Sequence, residues 1–256
     1  MTRLVWGAVG QRFFEAGTDR GVLFVDNLGV PWNGLKSVSE EPSGGGPQAY
    51  YHDGIKYLNL SQAEEFEATI EAFSAPAEFA RCDGEIPLYS GLSITQQPRK
   101  TFGLSYRTRV GNDVDSTDYG YKIHIVYNSL ASPSTRERRT LGVSTDPLTL
   151  SWKITTTPPA ISGYRPTAHL VIDSRTTPRP ILSEIEDILY GTDETISRLP
   201  TPQEIITIFS SPWVDVESVQ DGVYILNGTA VEDLSEGFAV DHNTVTDNGD
   251  GTFTIE

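Results

Sequence analysis

Scarcity narrows the chemistry of this chain first. Its 256 residues include one cysteine and one methionine, which excludes an internal disulfide framework and any site built from several thiolates. No apolar run approaches the ~20 residues that span a bilayer. The opening stretch Met1–Gly10 is too short, and too polar at its end, to read as a signal peptide. Positive charge runs out along the chain: residues 1–200 carry 24 acids against 19 bases, and residues 201–256 carry 11 acids with no lysine or arginine. A formal charge of −16 argues against holding nucleic-acid phosphates or anionic lipid through bulk charge. The expectation is a soluble protein made in a reducing cytoplasm, without a membrane contact. Hydrophobic residues at 38%, with 10% aromatics, still suffice for a core.

The charge break, with Ser210-Ser211-Pro212 beside it, divides the chain into a main domain, 1–210, and an acidic C-terminal appendage, 211–256. The appendage holds two strand-like pieces, Val223–Leu226 and Thr252–Ile255, the second preceded by a turn at Asp247–Gly251. So short a segment, poor in large apolar side chains, cannot build much of a core alone.

Period-two patterns dominate the main domain. In Glu65–Phe73, Phe66, Ala68, Ile70 and Ala72 alternate with Glu65, Glu67, Thr69 and Glu71, a strand with one buried and one acidic face. Phe102–Val110 puts Phe102, Leu104, Tyr106 and Val110 inward and Ser105, Arg107 and Arg109 outward. Tyr119–Asn128 sets Tyr121, Ile123, Ile125 and Tyr127 against Lys122, His124, Val126 and Asn128. Leu148–Thr156 sets Leu148, Leu150, Trp152 and Ile154 against Thr149, Ser151, Lys153 and Thr155. Shorter candidates are Val22–Val25, Trp32–Val38, Tyr57–Leu60 and Ala168–Ile172. Such half-polar strands suit an antiparallel sandwich or barrel with one face packed.

Two helices come late. Pro180–Tyr190 carries an apolar stripe of Ile181, Leu182, Ile185, Ile188 and Leu189, with Gly191 placed to cap it. Thr201-Pro202-Gln203-Glu204 is a capping box with proline at the first helical position, and Ile205, Ile206 and Phe209 would be the buried side. A short helix fits Pro76–Arg81. The fold class is therefore mainly β with flanking helices, a β-sandwich or partial barrel, plus the small β-rich appendage. Between strands, Glu40–Ala49 mixes triple glycine with two prolines and reads as an irregular loop; long loops in compact domains often carry function.

Catalytic motifs fail one by one. There is no phosphate loop, no G-x-G-x-x-G after a strand, no H-E-x-x-H and no G-x-S-x-G elbow. His52, His124, His169 and His242 are scattered, and Cys82 has no partner in sequence for nucleophilic work. Glu65, Glu67 and Glu71 share a strand face, and carboxylates two apart on a strand are ~7 Å apart, within an inverting glycosidase's range. An ordinary solvated strand looks the same, and no aromatic cluster is placed to bind sugar. Asp113–Asp118 and Asp247–Asp250 have the composition of calcium loops but lack the EF-hand glycine and terminal glutamate; they read as polar turns. No catalytic residue, metal ligand or cofactor is assigned, and the chain does not read as an enzyme.

Five strings, Val30–Leu35, Glu64–Phe73, Thr95–Lys100, Gly163–Leu170 and Glu186–Thr192, resemble the major tail proteins of long, flexible-tailed phages of actinobacteria. The resemblance spans roughly residues 1–209. It implies a tail tube subunit: a β-sandwich or partial barrel that forms hexameric rings, stacked around a tape measure protein and completed by tail terminator and tail tip proteins. DNA would pass through the lumen without specific binding, the site of action being the virion tail, assembled in the host cytoplasm. It also implies a loop reaching the adjacent ring, carried here by Glu40, Glu41, Ser43, Gly44, Gly45, Gly46, Gln48, Tyr50 and Tyr51. Glu65, Glu67 and Glu71 become lumen candidates, although Arg107, Arg109, Lys122 and Lys153 on other polar faces could pair with them instead. Eleven uncompensated acids repeated around a narrow lumen would repel one another, so the appendage is expected outside the tube. The alternative is a carbohydrate-binding or surface-adhesion β-domain, which would stay monomeric.

Overall fold

The computed structural model describes residues 4–44, 46–60, 63–138, 140 and 147–210 with their side chains, and beyond residue 210 the backbone of six short strands. Strand β1 (Phe14–Val25) turns back into β2 (Leu28–Pro31) through Asp26 and Asn27. Both turn residues have positive φ, 53° and 63°, the two-residue turn whose twist matches that of paired strands. There follow β3 (Leu35–Glu40), β4 (Gln48–His52), β5 (Ile55–Leu60), β6 (Glu67–Ala72), a 3₁₀ turn (Ala77–Arg81), β7 (Ile86–Tyr89) and β8 (Leu92–Ile94). Three longer elements, β9 (Phe102–Asn112), β10 (Ser116–Ala131) and β11 (Leu150–Thr156), then lead through β12 (His169–Asp173) to the helices α1 (Arg179–Tyr190) and α2 (Pro202–Ser210).

One antiparallel sheet runs β2-β1-β9-β10-β11-β6-β3, with β12 also paired to β10. Two cores lie on its two faces. On one, Leu23, Ile70, Phe79, Leu104, Trp152 and Ile154 pack between the β1-β9-β10 leaf and the leaf made by β11, β6 and β3. Phe79 sits at its centre, with ring centroids 4.8 Å from Trp32, 5.0 Å from Trp152 and 5.2 Å from Phe102. On the other face, Val22, Phe24, Ile123, Ile125 and Tyr127 receive Ile181, Ile185 and Leu189 of α1 and Ile205 and Ile208 of α2. The architecture is mainly β with flanking helices, as the periodicity implies.

Local signals account for the helices. The Thr201 hydroxyl accepts the Glu204 N–H at 3.2 Å and the Glu204 carboxylate accepts the Thr201 N–H at 3.3 Å, the reciprocal capping box. Gly191 ends α1 at φ 79°, its N–H reaching the Asp187 carbonyl. The predicted short helix is the 3₁₀ turn. The apolar face of α2 differs from expectation: Ile205 and Ile208 are buried, Ile206 is partly covered and Phe209 is exposed, because the helix lies on the sheet along its 202–205–208 line.

The strand faces carry a larger correction. Ser105, His124 and Val126, expected on solvated faces, are all buried. The sequence pattern marks opposite faces of neighbouring strands as inward, Leu104 on β9 and Ile125 on β10. Both are inward, since one face meets the curled leaf and the other meets the helices. At the strand ends, Leu148 is exposed because it precedes β11.

Beyond Ser210 the backbone forms β13 (Val216–Gln220), β14 (Val223–Leu226) and β15 (Thr229–Val231) as one antiparallel sheet, and β16 (Phe238–Val240), β17 (Asn243–Asp247) and β18 (Phe253–Ile255) as another. Both strand-like pieces read from the sequence are therefore strands, while Ser211, Pro212 and most of the turn before β18 lie outside the described residues.

Helix docking gives a direct test. Ile185→Ala removes a side chain with no exposure and should cost about 2–5 kcal/mol in urea unfolding, whereas Phe209→Ser should stay within about 0.5 kcal/mol.

Candidate functional site

Among the described residues no polar cleft dominates this molecule. Its distinctive surface is a pair of two-stranded arms. The chain leaves β3 at Glu40, makes an isolated bridge between Ser43 and Glu65, and between those points runs out and back as the β4–β5 hairpin. The tip is Asp53-Gly54, with φ 49° and 74°, the turn chemistry that closes a tight hairpin. Expected as an irregular loop, the segment is thus partly strand: Gln48, Tyr50 and Tyr51 belong to β4. Glu40 closes β3, and Glu41, Ser43, Gly44 and Gly46 form the approach; Gly45 lies outside the described residues.

Every residue of β5 is exposed, with Ile55 at 72% and Tyr57 at 74%, and Tyr51 across the ribbon is similarly bare. The β7–β8 hairpin repeats the arrangement with Leu88, Tyr89 and Leu92. Leu4, Val5, Trp6 and Val9 make a third exposed apolar segment, anchored where the Asp113 carboxylate accepts the Gly10 and Arg12 N–H groups. A two-stranded ribbon is marginally stable alone in water, and apolar side chains concentrated on protrusions mark contact surfaces.

The outer face of β6 and its neighbours is different in kind. Glu67 receives Lys153 of β11 at 2.8 Å and the Ser43 hydroxyl at 2.9 Å; Glu71 receives Lys36 at 3.1 Å and the Ser37 hydroxyl. The Lys153 hydrogen bond, helped by Ser43, holds the Glu67 carboxyl below its usual range and raises Lys153 in return. Glu65 remains exposed at the bridge. Cross-strand pairing thus engages Lys153 with the acidic face, while the other three bases go elsewhere. Arg107 grips Asp19 with two hydrogen bonds at 2.7 and 3.0 Å, Arg109 adds one at 2.9 Å, and Lys122 pairs with Glu15. The Arg107 hydrogen bond is the main reason that the Asp19 carboxyl is held below its ordinary value. Asp113–Asp118 is a polar turn in which the Asn112 side-chain oxygen Oδ1 accepts the N–H groups of Val114 and Asp115.

Inside the curl, His124 of β10, His169 of β12 and Glu40 converge. His124 Nδ1 lies 3.1 Å from His169 Nε2 and 3.4 Å from Glu40 Oε1. Thr108 Oγ1 stands 3.0 Å from His124 Nε2, and the Tyr106 hydroxyl donates to Glu40 Oε1 at 2.8 Å. The His124 ring stacks on Tyr106 and lies parallel to His169. Burial pushes the imidazolium pKa of His124 down to about 4, lowers that of His169 and raises the phenol of Tyr106, so all three are neutral near pH 7. Sequence spacing cannot reveal this cluster. It depends on the β10–β12 register, which sets His169 opposite Val126, and on β3 arriving from the other leaf.

No protein-family model and no curated protein matches the chain. Among solved structures it is similar to a sheath/tube terminator chain of an extracellular contractile injection system (PVC) in its extended state, with a TM-score of 0.33 at 13% identity over 66% of this chain and 99% of the other. It is also similar to a chain in the baseplate of the anti-feeding prophage, with a TM-score of 0.32 at 12% identity over 66% and 97% respectively.

The Asp19 cluster makes a pH-dependent prediction. Because folding lowers this carboxyl below 3.8, its contribution is complete above that pH and is lost as the pH falls through the folded value. Asp19→Asn should cost about 1–2 kcal/mol at pH 7, allowing for partial exposure. Urea midpoints of the two proteins should converge on acidification below ~3.8.

Proposed function

We propose that this chain is a structural subunit of a phage tail tube, assembling as rings that stack around a tape measure protein, with terminator and tip proteins at the ends. The observation that carries this reading is the concentration of exposed apolar side chains on β4–β5, β7–β8 and the N-terminal segment. These are surfaces that one copy of the chain leaves bare and a ring of copies would cover. The strings that resemble actinophage major tail proteins point the same way. The sheet ends at β2 and β3, and pairing across subunits is one of the ways such edges are closed.

Within that reading the β4–β5 arm, from its root at Glu40 to Tyr51 and beyond, is the inter-ring contact. The Ser-, Thr-, Glu- and Lys-bearing face of β3, β6 and β11 faces the lumen. Glu71 and Glu67 are paired with Lys36 and Lys153 while Glu65 is exposed, so the wall keeps a modest negative charge that does not grip a polyanion, which suits transit of DNA without specific binding. The appendage, 211–256, lies outside the tube.

Negative-stain electron microscopy of the purified chain, alone and with its tape measure partner, should show rings or tubes with a central channel. Monomers under both conditions would overturn the reading and make a glycan-binding screen the next experiment. Tyr51→Ser combined with Tyr57→Ser should leave unfolding of the single chain within about 0.5 kcal/mol yet prevent stacking; normal tubes from this variant would remove the arm from the contact. Lysine at positions 65, 67 and 71 should slow DNA ejection while tubes still form, and unchanged ejection kinetics would sink the lumen assignment.

A further inference from the structure

We propose that Glu40, His124 and His169 form a binding site for a divalent transition cation of the zinc type, which fixes the root of the β4–β5 arm to the centre of the sheet. This inference is independent of the tube reading.

Geometry carries it. Donors placed about 2.0–2.1 Å from zinc at tetrahedral angles are ~3.3 Å from one another. The His124 Nδ1 to His169 Nε2 and His124 Nδ1 to Glu40 Oε1 separations, 3.1 and 3.4 Å, bracket that value. All three donor atoms lie within 4.8 Å of one another, so a small motion of the Glu40 side chain closes the set. Two imidazoles and one carboxylate select a zinc-like ion over calcium or magnesium, which prefer all-oxygen shells.

The surroundings are those of a supported site. With a cation on Nδ1, His124 carries its proton on Nε2, where Thr108 Oγ1 stands 3.0 Å away as a hydrogen-bond acceptor that orients the ring. With the cation bound, His169 carries its proton on Nδ1. Tyr106 donates to Glu40 Oε1 at 2.8 Å, which orients the carboxylate and leaves a lone pair of that oxygen for the cation. Phe66 covers the His169 ring at 4.5 Å between centroids. Glu40 is partly exposed, so the fourth position opens toward solvent and would take water.

The mechanical consequence follows from which strands supply the ligands. Glu40 is the last residue of β3, just before the chain enters the arm, whereas His124 and His169 sit on paired strands of the opposite leaf. One ion would therefore join the two leaves at the point where the arm departs.

The test uses the full chain, freed of metal with a chelator and titrated calorimetrically with Zn²⁺, with Mg²⁺ as control. One tight equivalent of Zn²⁺ and a raised unfolding temperature are expected. Co²⁺ in its place should give the intense visible bands of a four-coordinate site. Glu40→Gln, at a partly exposed position that does not threaten folding, should abolish the tight equivalent. Thr108→Val should weaken it by roughly 10-fold or more. Absence of a tight equivalent in the unaltered chain would overturn the proposal. So would zinc affinity unchanged in both variants, which would assign the binding to His52, His242 or the acidic appendage.

Discussion

The structure turns on a bend in one strand. β10 is 16 residues long, and it serves two leaves because its backbone breaks step at Asn128, where φ is 48°. Before the bend, residues 122–126 pair with β12; after it, residues 129–131 pair with β11. Opposite, the ladder to β9 slips between Val126 and Ser129. Asn128 secures the corner from both ends: its side-chain amide donates to the Thr157 carbonyl, and its own carbonyl accepts the Thr157 N–H. Non-glycine residues adopt this conformation seldom, and asparagine tolerates it better than most. Without the bend, β11, β6 and β3 would extend the sheet in plane, leaving Trp152 and Ile154 without Phe79 and Leu104 to pack against.

That bend also explains how one sheet supports two cores. Its central strands are covered by the folded-over leaf on one side and by α1 and α2 on the other. Hence β9 and β10 bury residues of both parities, and the Arg107–Asp19 group becomes half-buried rather than a solvated rim. Charge on this protein is thus sorted by structure. The helix-side group holds Asp19 with two arginines, the outer leaf pairs Glu67 and Glu71 with lysines, and the largest surplus of acid, eleven with no lysine or arginine, falls in residues 201–256.

Much of this was legible from residue order, and the parts that were not share a cause. Strand β6 announced itself through strict alternation, and α2 through Thr201-Pro202-Gln203-Glu204, because those signals are local. Alternation alone places Ser105 and His124 on solvated faces because it reports polarity, not whether a second layer arrives from elsewhere. The β4–β5 arm had a local signal that triple glycine obscured: Asp53-Gly54 between Tyr50-Tyr51-His52 and Ile55–Leu60. The Glu40–His124–His169 cluster had none. Its members meet only after the strand register and the bend are both set, so no spacing along the chain encodes it.

A ribbon such as β4–β5 has a further property that bears on timing. Among the described residues it has two strands only and β5 is exposed throughout, so its order costs backbone entropy that its own contacts barely offset. A first contact with another molecule must therefore meet that ordering cost as well as the cost of association, whereas a surface that already presents ordered arms spares the newcomer part of it. In the tube proposed above, growth on an existing end is then favoured over spontaneous pairing of free chains. Assembly of that proposed kind waits for an end on which to grow.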